Sequence, residues 1–376
     1  MNVTIIYGGK SGEHEISLIS AAAIARNMDK QHNVTLIGIT KDGRWYKQPA
    51  EELTRIRQDT KAALTIKESD ENQVLAVPAG GKEKAFKTEK GYIPTDVVFP
   101  VVHGTFGEDG TLQGLLEMVD VPYVGCGVTA SGITMDKEKT KSLLEQAGIP
   151  VVPGICLRRS DLADWKHYDE ILEKAQRELG FPLFVKPCSA GSSDGASLAK
   201  DLQHLNGAIT EAFLWDDKIL IEKAVNAREI ECSVTGNPTT YNGEFDCEKV
   251  KAYGPGEIAP KHDFYDYDAK YNDPDGAELL IPAKLPEQRL EEVRSLAVKA
   301  YSALDLSGLS RVDFFIDKDT DTLYLNEINT LPGFTQISMF PKMCEAFGLN
   351  FTELTNLLMD EAKARFKATR NLQTSR

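Results

Sequence analysis

At 376 residues the chain exceeds what one ordinary hydrophobic core serves, so two or three domains are expected. Hydrophobic residues make up 41% and charged residues 27%, a soluble globular composition, and no apolar run is long enough to cross a bilayer. A formal charge of -14 argues against a general nucleic-acid surface, which needs clustered Lys and Arg, but leaves room for one small basic pocket.

The opening "MNVTIIYGG" has no basic leader and reads as a first strand rather than a signal peptide, so the protein is expected to stay in the cytoplasm where it is made. An Ala-rich helix around "SLISAAAIARNM" follows, then "NVTLIGIT" and later "DVVFPVVHG". This βαβ alternation predicts an α/β unit with a parallel sheet and ligands near the carboxyl ends of its strands. Residues 48–90 are more polar and carry no clear period.

A second segment begins near "VPYVGCGVTAS". Its helix "DKEKTKSLLEQAG" stops at Gly148, with Pro150 just beyond. "FPLFVKP", the loop "CSAGSSDGAS" and the strand "KILIEKAV" complete it. The third segment holds "REIECSVTG", a long irregular stretch from Ala252 to Gly276, the helix "PEQRLEEVRSLAVKAYSALD", a hairpin, and the helix "FTELTNLLMDEAKARF". A connection that long inside a compact domain is a functional lid or a disordered segment. The expected domains are therefore 1–125, 126–222 and 223–376, with a closing loop at about 252–276. The six cysteines (126, 156, 188, 232, 247, 344) form no C-x-x-C pair and suggest neither a zinc ribbon nor a disulfide scaffold.

In the hairpin, "GLSRVDFFID" and "TLYLNEINT" both alternate with period two. A three-residue loop would set Asp313 opposite Glu327 and Arg311 opposite Asn329, and would place Glu327 and Asn329 on the same side of the pleat as Leu323 and Leu325. Opposed carboxylates about 5 Å apart at Cβ repel unless a cation lies between them. Magnesium suits the position, since it takes hard oxygen ligands and completes its shell with phosphates and water. Taken alone, the hairpin could equally be an exposed one whose acids face water. Beyond it, Pro332 and Gly333 force a turn; the Gly333 N–H could join Arg311 in stabilising an oxyanion, or the turn could be purely structural.

Phosphates call for a second half-site. "GGKSGEHE" is not a Walker A loop, because Thr4 stands where the leading glycine belongs. "VKPCSAGSSDGAS" is the better candidate: Lys186 ends an apolar strand, and small residues follow whose N–H groups could fold over phosphates. Lys137 opens a helix and could add a cation, or be merely solvated. "ILIEKAV" and "NAREIE" offer Glu222, Lys223 and Glu229 at a strand edge that could read adenine and ribose, or could be an ordinary interdomain strand.

Together these stretches resemble the ATP-grasp superfamily, and within it the D-alanine–D-alanine ligases. The resemblance spans essentially the whole chain, through "GGKSGEHEIS", "HGTFGEDGTLQG", "MDKEKTK", "VKPCSAGSSDG", "EKAVNAREIE", "FYDYDAKY", "RVDFF" and "NEINTLPGFTQISMFPK" in family order. It implies three α/β domains with ATP between the central and C-terminal ones, and a homodimer. It further implies that Asp313, Glu327 and Asn329 hold two Mg2+ (or Mn2+) ions. Lys137, Lys186 and Lys270 would contact ATP phosphates, and Glu222, Lys223, Val225 and Glu229 would surround adenine and ribose. Arg311 and the Gly333 N–H would form the oxyanion site. Glu13 and His103 would receive the first D-alanine, Ser338 and Met339 the carboxylate of the second, and Tyr271 would join Ser192 and Glu13 near the incoming amine. One departure is Asp194 in "GSSDG", where the family mostly shows Val; a carboxylate there repels phosphates unless it points outward or meets a cation.

Overall fold

The computed structural model describes residues 1–238, 249–260 and 277–373. Its first unit runs β1 (Asn2–Gly8), α1 (His14–Asn27), β2 (Asn33–Ile39), β3 (Trp45–Lys47), α2 (Ala50–Gln58), β4 (Leu75–Ala76), α3 (Gly81–Lys84), β5 (Phe86–Thr88), β6 (Gly91–Ile93), β7 (Val97–Val101) and α4 (Thr111–Val119). The principal sheet has order β3-β2-β1-β7, with β1 parallel to β2 and β7 and an antiparallel edge strand β3. As βαβ logic requires, the loops after β1 and β7 lie together at the carboxyl ends of the strands. The polar stretch 48–90 forms α2 and part of a small antiparallel sheet β4-β5-β6.

The second unit contains α5 (Val128–Met135), α6 (Lys137–Gln146), β8 (Gly154–Arg158), α7 (Trp165–Glu178), β9 (Leu183–Pro187), β10 (Ser197–Ala199), α8 (Leu202–Ala212) and β11 (Lys218–Lys223). Its sheet, β10-β9-β11-β8, is antiparallel throughout. The third contains β12 (Ala227–Gly236), β13 (Lys251–Pro260), β14 (Ala277–Leu280), α9 (Glu287–Ala303), β15 (Gly308–Asp317), β16 (Leu323–Asn329), α10 (Met339–Ala346) and α11 (Phe351–Arg370). Its five strands pair in the order β14-β13-β12-β15-β16.

Two expectations need correction here. The stretch from Ala252 is not irregular at its start: residues 251–260 form β13, paired with β12 on one side and β14 on the other. Gly254, Pro255 and Gly256 look like loop punctuation, yet the glycines are needed for packing. Gly254 has φ 110, where a side chain is strained, and a Cβ there would stand 2.7 Å from Met343 Sδ; one on Gly256 would stand 2.3 Å from Met339 Cε, so a side chain at either position would displace a methionine end of α10.

The hairpin alternation is also broken. Arg311 faces Asn329 and Asp313 faces Glu327, as expected, but Phe314 then faces Leu325, so Asn326 is an extra residue in β16. Such a bulge places two successive residues against one and reverses the alternation beyond it. Leu323, Leu325 and Ile328 therefore lie in one core with Val312, Phe314 and Ile316. Asn326, Glu327 and Asn329 line the cavity instead. Glu327 and Asn329 do not share a face with Leu323 and Leu325; the acids never occupy a core position. The turn also differs, with Asp317 N–H donating to Thr322 O at 2.9 Å.

The cores cross the expected boundaries. Val3, Ile5 and Tyr7 of β1 pack in one cluster with Phe340, Leu354 and Leu358, so the C-terminal helices close back onto the first sheet. Cys126, Ala130 and Leu144 belong to the core of the third sheet. Among the described residues, no helix is long and apolar enough to cross a membrane, and the five described cysteines are unpaired.

Candidate active site

The second and third sheets and the loops after β1 and β7 enclose a cavity of about 730 Å³. Helix α6 brings its first residue to the wall. Asp136 caps the helix by accepting from Lys139 N–H at 3.1 Å, and Lys218 pairs with Asp136 and, at 3.2 Å, with Glu138. Lys137 Nζ then reaches across to donate to Ala190 O at 2.6 Å. Burial of its ammonium lowers the Lys137 pKa, with Glu327 opposing that shift. Lys186, near the end of β9, pairs with Glu222 at 2.6 Å and donates to Asn326 Oδ1 at 3.3 Å. Glu222 also pairs with Lys141. Burial would lift the Glu222 carboxyl, but Lys186 and Lys141 outweigh it and hold the group below its ordinary value.

Across the cavity, Arg311 grips Asp313 bidentately, Nε to Oδ1 at 2.7 Å and Nη2 to Oδ2 at 2.6 Å, and approaches Glu231 at 3.1 Å. Burial disfavours the Arg311 charge, yet Asp313 and Glu231 raise its pKa well above the usual value. The guanidinium therefore compensates Asp313 directly, and a metal is not the only answer to the opposed carboxylates. Asn329 Nδ2 donates to Asp313 Oδ2 at 3.0 Å. Among the described residues no three Asp, Glu, His or Cys side chains gather as a complete metal cage. Magnesium takes one or two carboxylates and relies on phosphates and water for the rest, and Asp313, Glu327 and Asn329 are hard oxygen donors of this kind.

At the third wall, Ser192 Oγ donates to Glu13 Oε1 at 2.5 Å. The loop carrying Ser192 is strained into the left-handed region at Ser192 (φ 51) and Ser193 (φ 63). His103 donates from Nδ1 to Leu331 O at 2.9 Å, since a carbonyl can only accept, and its Nε2 accepts from Ser20 Oγ at 3.0 Å. Burial lowers the His103 pKa, which keeps the ring neutral at pH 7. Ser20 Oγ also accepts from Phe334 N–H at 3.2 Å, tying α1 to the turn after β16. Asp194 lines the cavity, and among the described residues it makes no ion pair with a cation; burial and then Glu13 raise its pKa.

Lys223, Val225, Glu229 and Gly333 also line the cavity. Ser338 and Met339 do not. The Met339 side chain is buried in the first core, so a carboxylate could meet only its backbone N–H at the start of α10. Ser338 Oγ lies behind the turn, 2.8 Å from where a Cβ on Gly333 would stand, and accepts from Thr335 N–H at 2.9 Å. Lys270 and Tyr271 lie outside the described residues.

Four participants escaped the sequence reading. Asn326 reaches the cavity only because of the bulge. Glu231 and Lys141 are ordinary members of a strand and a helix until their partners are known. Glu108 stood within the quoted "HGTFGEDG", and its carboxylate accepts from Gly104 N–H at 2.9 Å and Leu331 N–H at 3.4 Å, joining two walls of the cavity. Enclosure of the carboxyl, followed by repulsion from Glu13, pushes the Glu108 pKa up to about 8.

The chain is similar to known proteins along its whole length. Residues 2–126 match the family model for the D-ala D-ala ligase N-terminus, and residues 143–360 match that for the D-ala D-ala ligase C-terminus. The chain is 54% identical over 376 residues to a D-alanine–D-alanine ligase of Treponema denticola, covering 100% of both chains. It is 44% identical over 365 residues to one of Thermoanaerobacter sp. strain X514, covering 96% of each. Among solved structures, the D-alanine-D-alanine ligase from Coxiella burnetii matches with TM-score 0.81 and 33% identity, over 98% of this chain and 96% of that one. The VanG D-Ala:D-Ser ligase from Enterococcus faecalis matches with TM-score 0.80 and 32% identity, over 96% and 99%. The chain belongs to the D-ala D-ala ligase family, with an ATP-grasp fold.

Proposed function

We propose that the chain joins two D-alanine molecules into D-alanyl-D-alanine at the expense of ATP, releasing ADP and phosphate, in the synthesis of peptidoglycan precursors. The observation that carries this reading is the convergence on one cavity of two lysines, Lys137 and Lys186, an acidic and amide set, Asp313, Glu327 and Asn329, and the Glu13–Ser192 pair. Phosphoryl transfer asks mainly for positioning and charge neutralisation, and the first two groups supply both. The higher identity to the D-alanine–D-alanine ligases, 54% and 44%, than to the D-Ala:D-Ser ligase, 32%, favours D-alanine over D-serine or D-lactate as second substrate.

The carboxylate of the first D-alanine attacks the γ-phosphorus of ATP, the bond to ADP breaks, and an acyl phosphate forms. The amine of the second D-alanine then attacks the acyl carbon, and phosphate leaves. Lys137 and Lys186 hold ATP phosphates, with Lys270 joining them, while Glu222, Lys223, Val225 and Glu229 surround the adenine and ribose. Glu13 binds the first ammonium and His103 lies near its carboxylate. Arg311 and the Gly333 N–H stabilise the oxyanion, and Ser338 with the Met339 N–H meets the second carboxylate. Tyr271 joins Ser192 and Glu13 beside the incoming amine. Asp313, Glu327 and Asn329 fit two magnesium or manganese ions, which when bound neutralise charge on the transferred phosphate. Residues 1–125 form the substrate domain, and 126–222 and 223–376 the two halves that grasp ATP; of the closing loop expected at about 252–276 to keep water from the acyl phosphate, the part beyond β13 lies outside the described residues. The reading includes a homodimer in the cytoplasm.

Product analysis with competing nucleophiles tests the assignment. D-alanine is expected to outcompete D-lactate and D-serine at neutral pH; preference for either rival would overturn the choice of substrate.

A further inference from the structure

Glu222 stands between two lysines, with Oε2 at 2.6 Å from Lys186 Nζ and Oε1 paired with Lys141 Nζ. The three side chains come from β11, β9 and α6 and are 3%, 8% and 6% exposed. At that depth a carboxylate is not neutralised by water, only by its partners. Lys186 and Glu222 line the cavity and Lys141 does not; the latter's ammonium also donates to Val152 O at 3.2 Å.

Two ammonium groups against one carboxylate leave one net positive charge, beside the cavity that Lys186 and Glu222 both line. With Lys141 absent, Lys186 and Glu222 would form a closed neutral pair. An incoming phosphate would then have to break that pair before gaining a cation. Lys141 also lies one helical turn beyond Lys137 on α6, so its bond to β11 helps fix the face that presents Lys137.

We propose that Lys141 is a positioning residue for nucleotide binding: by pairing with Glu222 it offsets that carboxylate and keeps Lys186 available to ATP phosphates. The inference rests on the reading above, in which Lys186 meets phosphate. It does not require Lys141 to touch any substrate.

The test is steady-state phosphate release by the full chain with ATP and D-alanine varied separately. Lys141→Met is expected to raise the KM for ATP about tenfold while kcat and the KM for D-alanine stay within about twofold. Lys141→Arg, which keeps the charge, is expected to hold the KM for ATP within about threefold of the parent's. Lys141→Gln, which removes the charge but keeps a polar side chain, is expected to raise the KM for ATP about tenfold as Lys141→Met does. An unchanged KM for ATP in Lys141→Met, or a Lys141→Arg variant as impaired as Lys141→Met, overturns the proposal. Should Lys141→Met fail to fold, Lys141→Gln decides: an unchanged KM for ATP there also overturns it. Lys186→Met separates the two levels. If it leaves the KM for ATP unchanged, the phosphate role of Lys186 falls and this inference with it; if it raises that KM while Lys141→Met does not, only the role of Lys141 falls.

Discussion

Glu327 stands opposite Asp313 across the β15–β16 pair, and the extra residue beside it, Asn326, lines the same cavity. The bulge lets β16 send Leu325 and Ile328 to the core while two successive polar residues reach the cavity. A strand without the extra residue could present only alternate positions there. The site's density of oxygen atoms thus follows from one added residue.

Glu327→Gln keeps the shape of the side chain and removes its charge. Turnover is expected to fall about a hundredfold or more, because the carboxylate would act on the transferred phosphate through the divalent cation it holds. Thermal melting is expected to stay within about 2 °C of the parent's. Near-normal turnover would contradict a role for Glu327 in holding metal and phosphate.

Asn326→Ala removes the amide oxygen that Lys186 approaches at 3.3 Å. The KM for ATP is expected to rise about threefold to tenfold with little change in kcat, the scale of one hydrogen bond to a charged group. Kinetics with ATP varied at saturating D-alanine checks this.

Ser192→Ala deletes the 2.5 Å hydrogen bond to Glu13. Glu13 would lose its orientation, and kcat/KM for D-alanine is expected to fall about tenfold to a hundredfold. The KM for ATP should move far less, since the role proposed for Glu13 is to bind the amino acid.

Glu108 gives a pH prediction with a definite sign. Its pKa rises from an ordinary 4.5 to about 8 in the folded chain, chiefly through enclosure, so the folded state holds a proton that the unfolded state has released. The stability contributed by that proton is fully present below pH 4.5 and is lost as pH rises to about 8. Glu108→Gln mimics the protonated acid and is expected to flatten this part of the stability profile. Urea denaturation across the range checks it: parent and variant profiles of equal slope would contradict the assignment.

Much of this was legible in the sequence because chemistry is local. The Arg311, Asp313, Glu327, Asn329 set was readable from two alternating runs, and the facing pairs Asp313–Glu327 and Arg311–Asn329 stand as expected. The bulge was not readable, because an inserted residue in a strand leaves no compositional mark, and the alternation therefore gave the wrong face for Glu327. β13 was hidden for the opposite reason. Gly254, Pro255 and Gly256 carry loop signals, and the left-handed backbone at Gly254 and the packing of Met339 and Met343 against the two glycines show only in the fold. Lys141 and Glu231 were invisible because an ion pair formed across sheets and helices has no spacing along the chain.

The most direct measurement is ATP-dependent phosphate release by the purified chain with magnesium and D-alanine, with L-alanine as control. The account predicts release coupled one to one with D-alanyl-D-alanine formation, and none above background with L-alanine. No release with D-alanine, or equal release with both enantiomers, would contradict it.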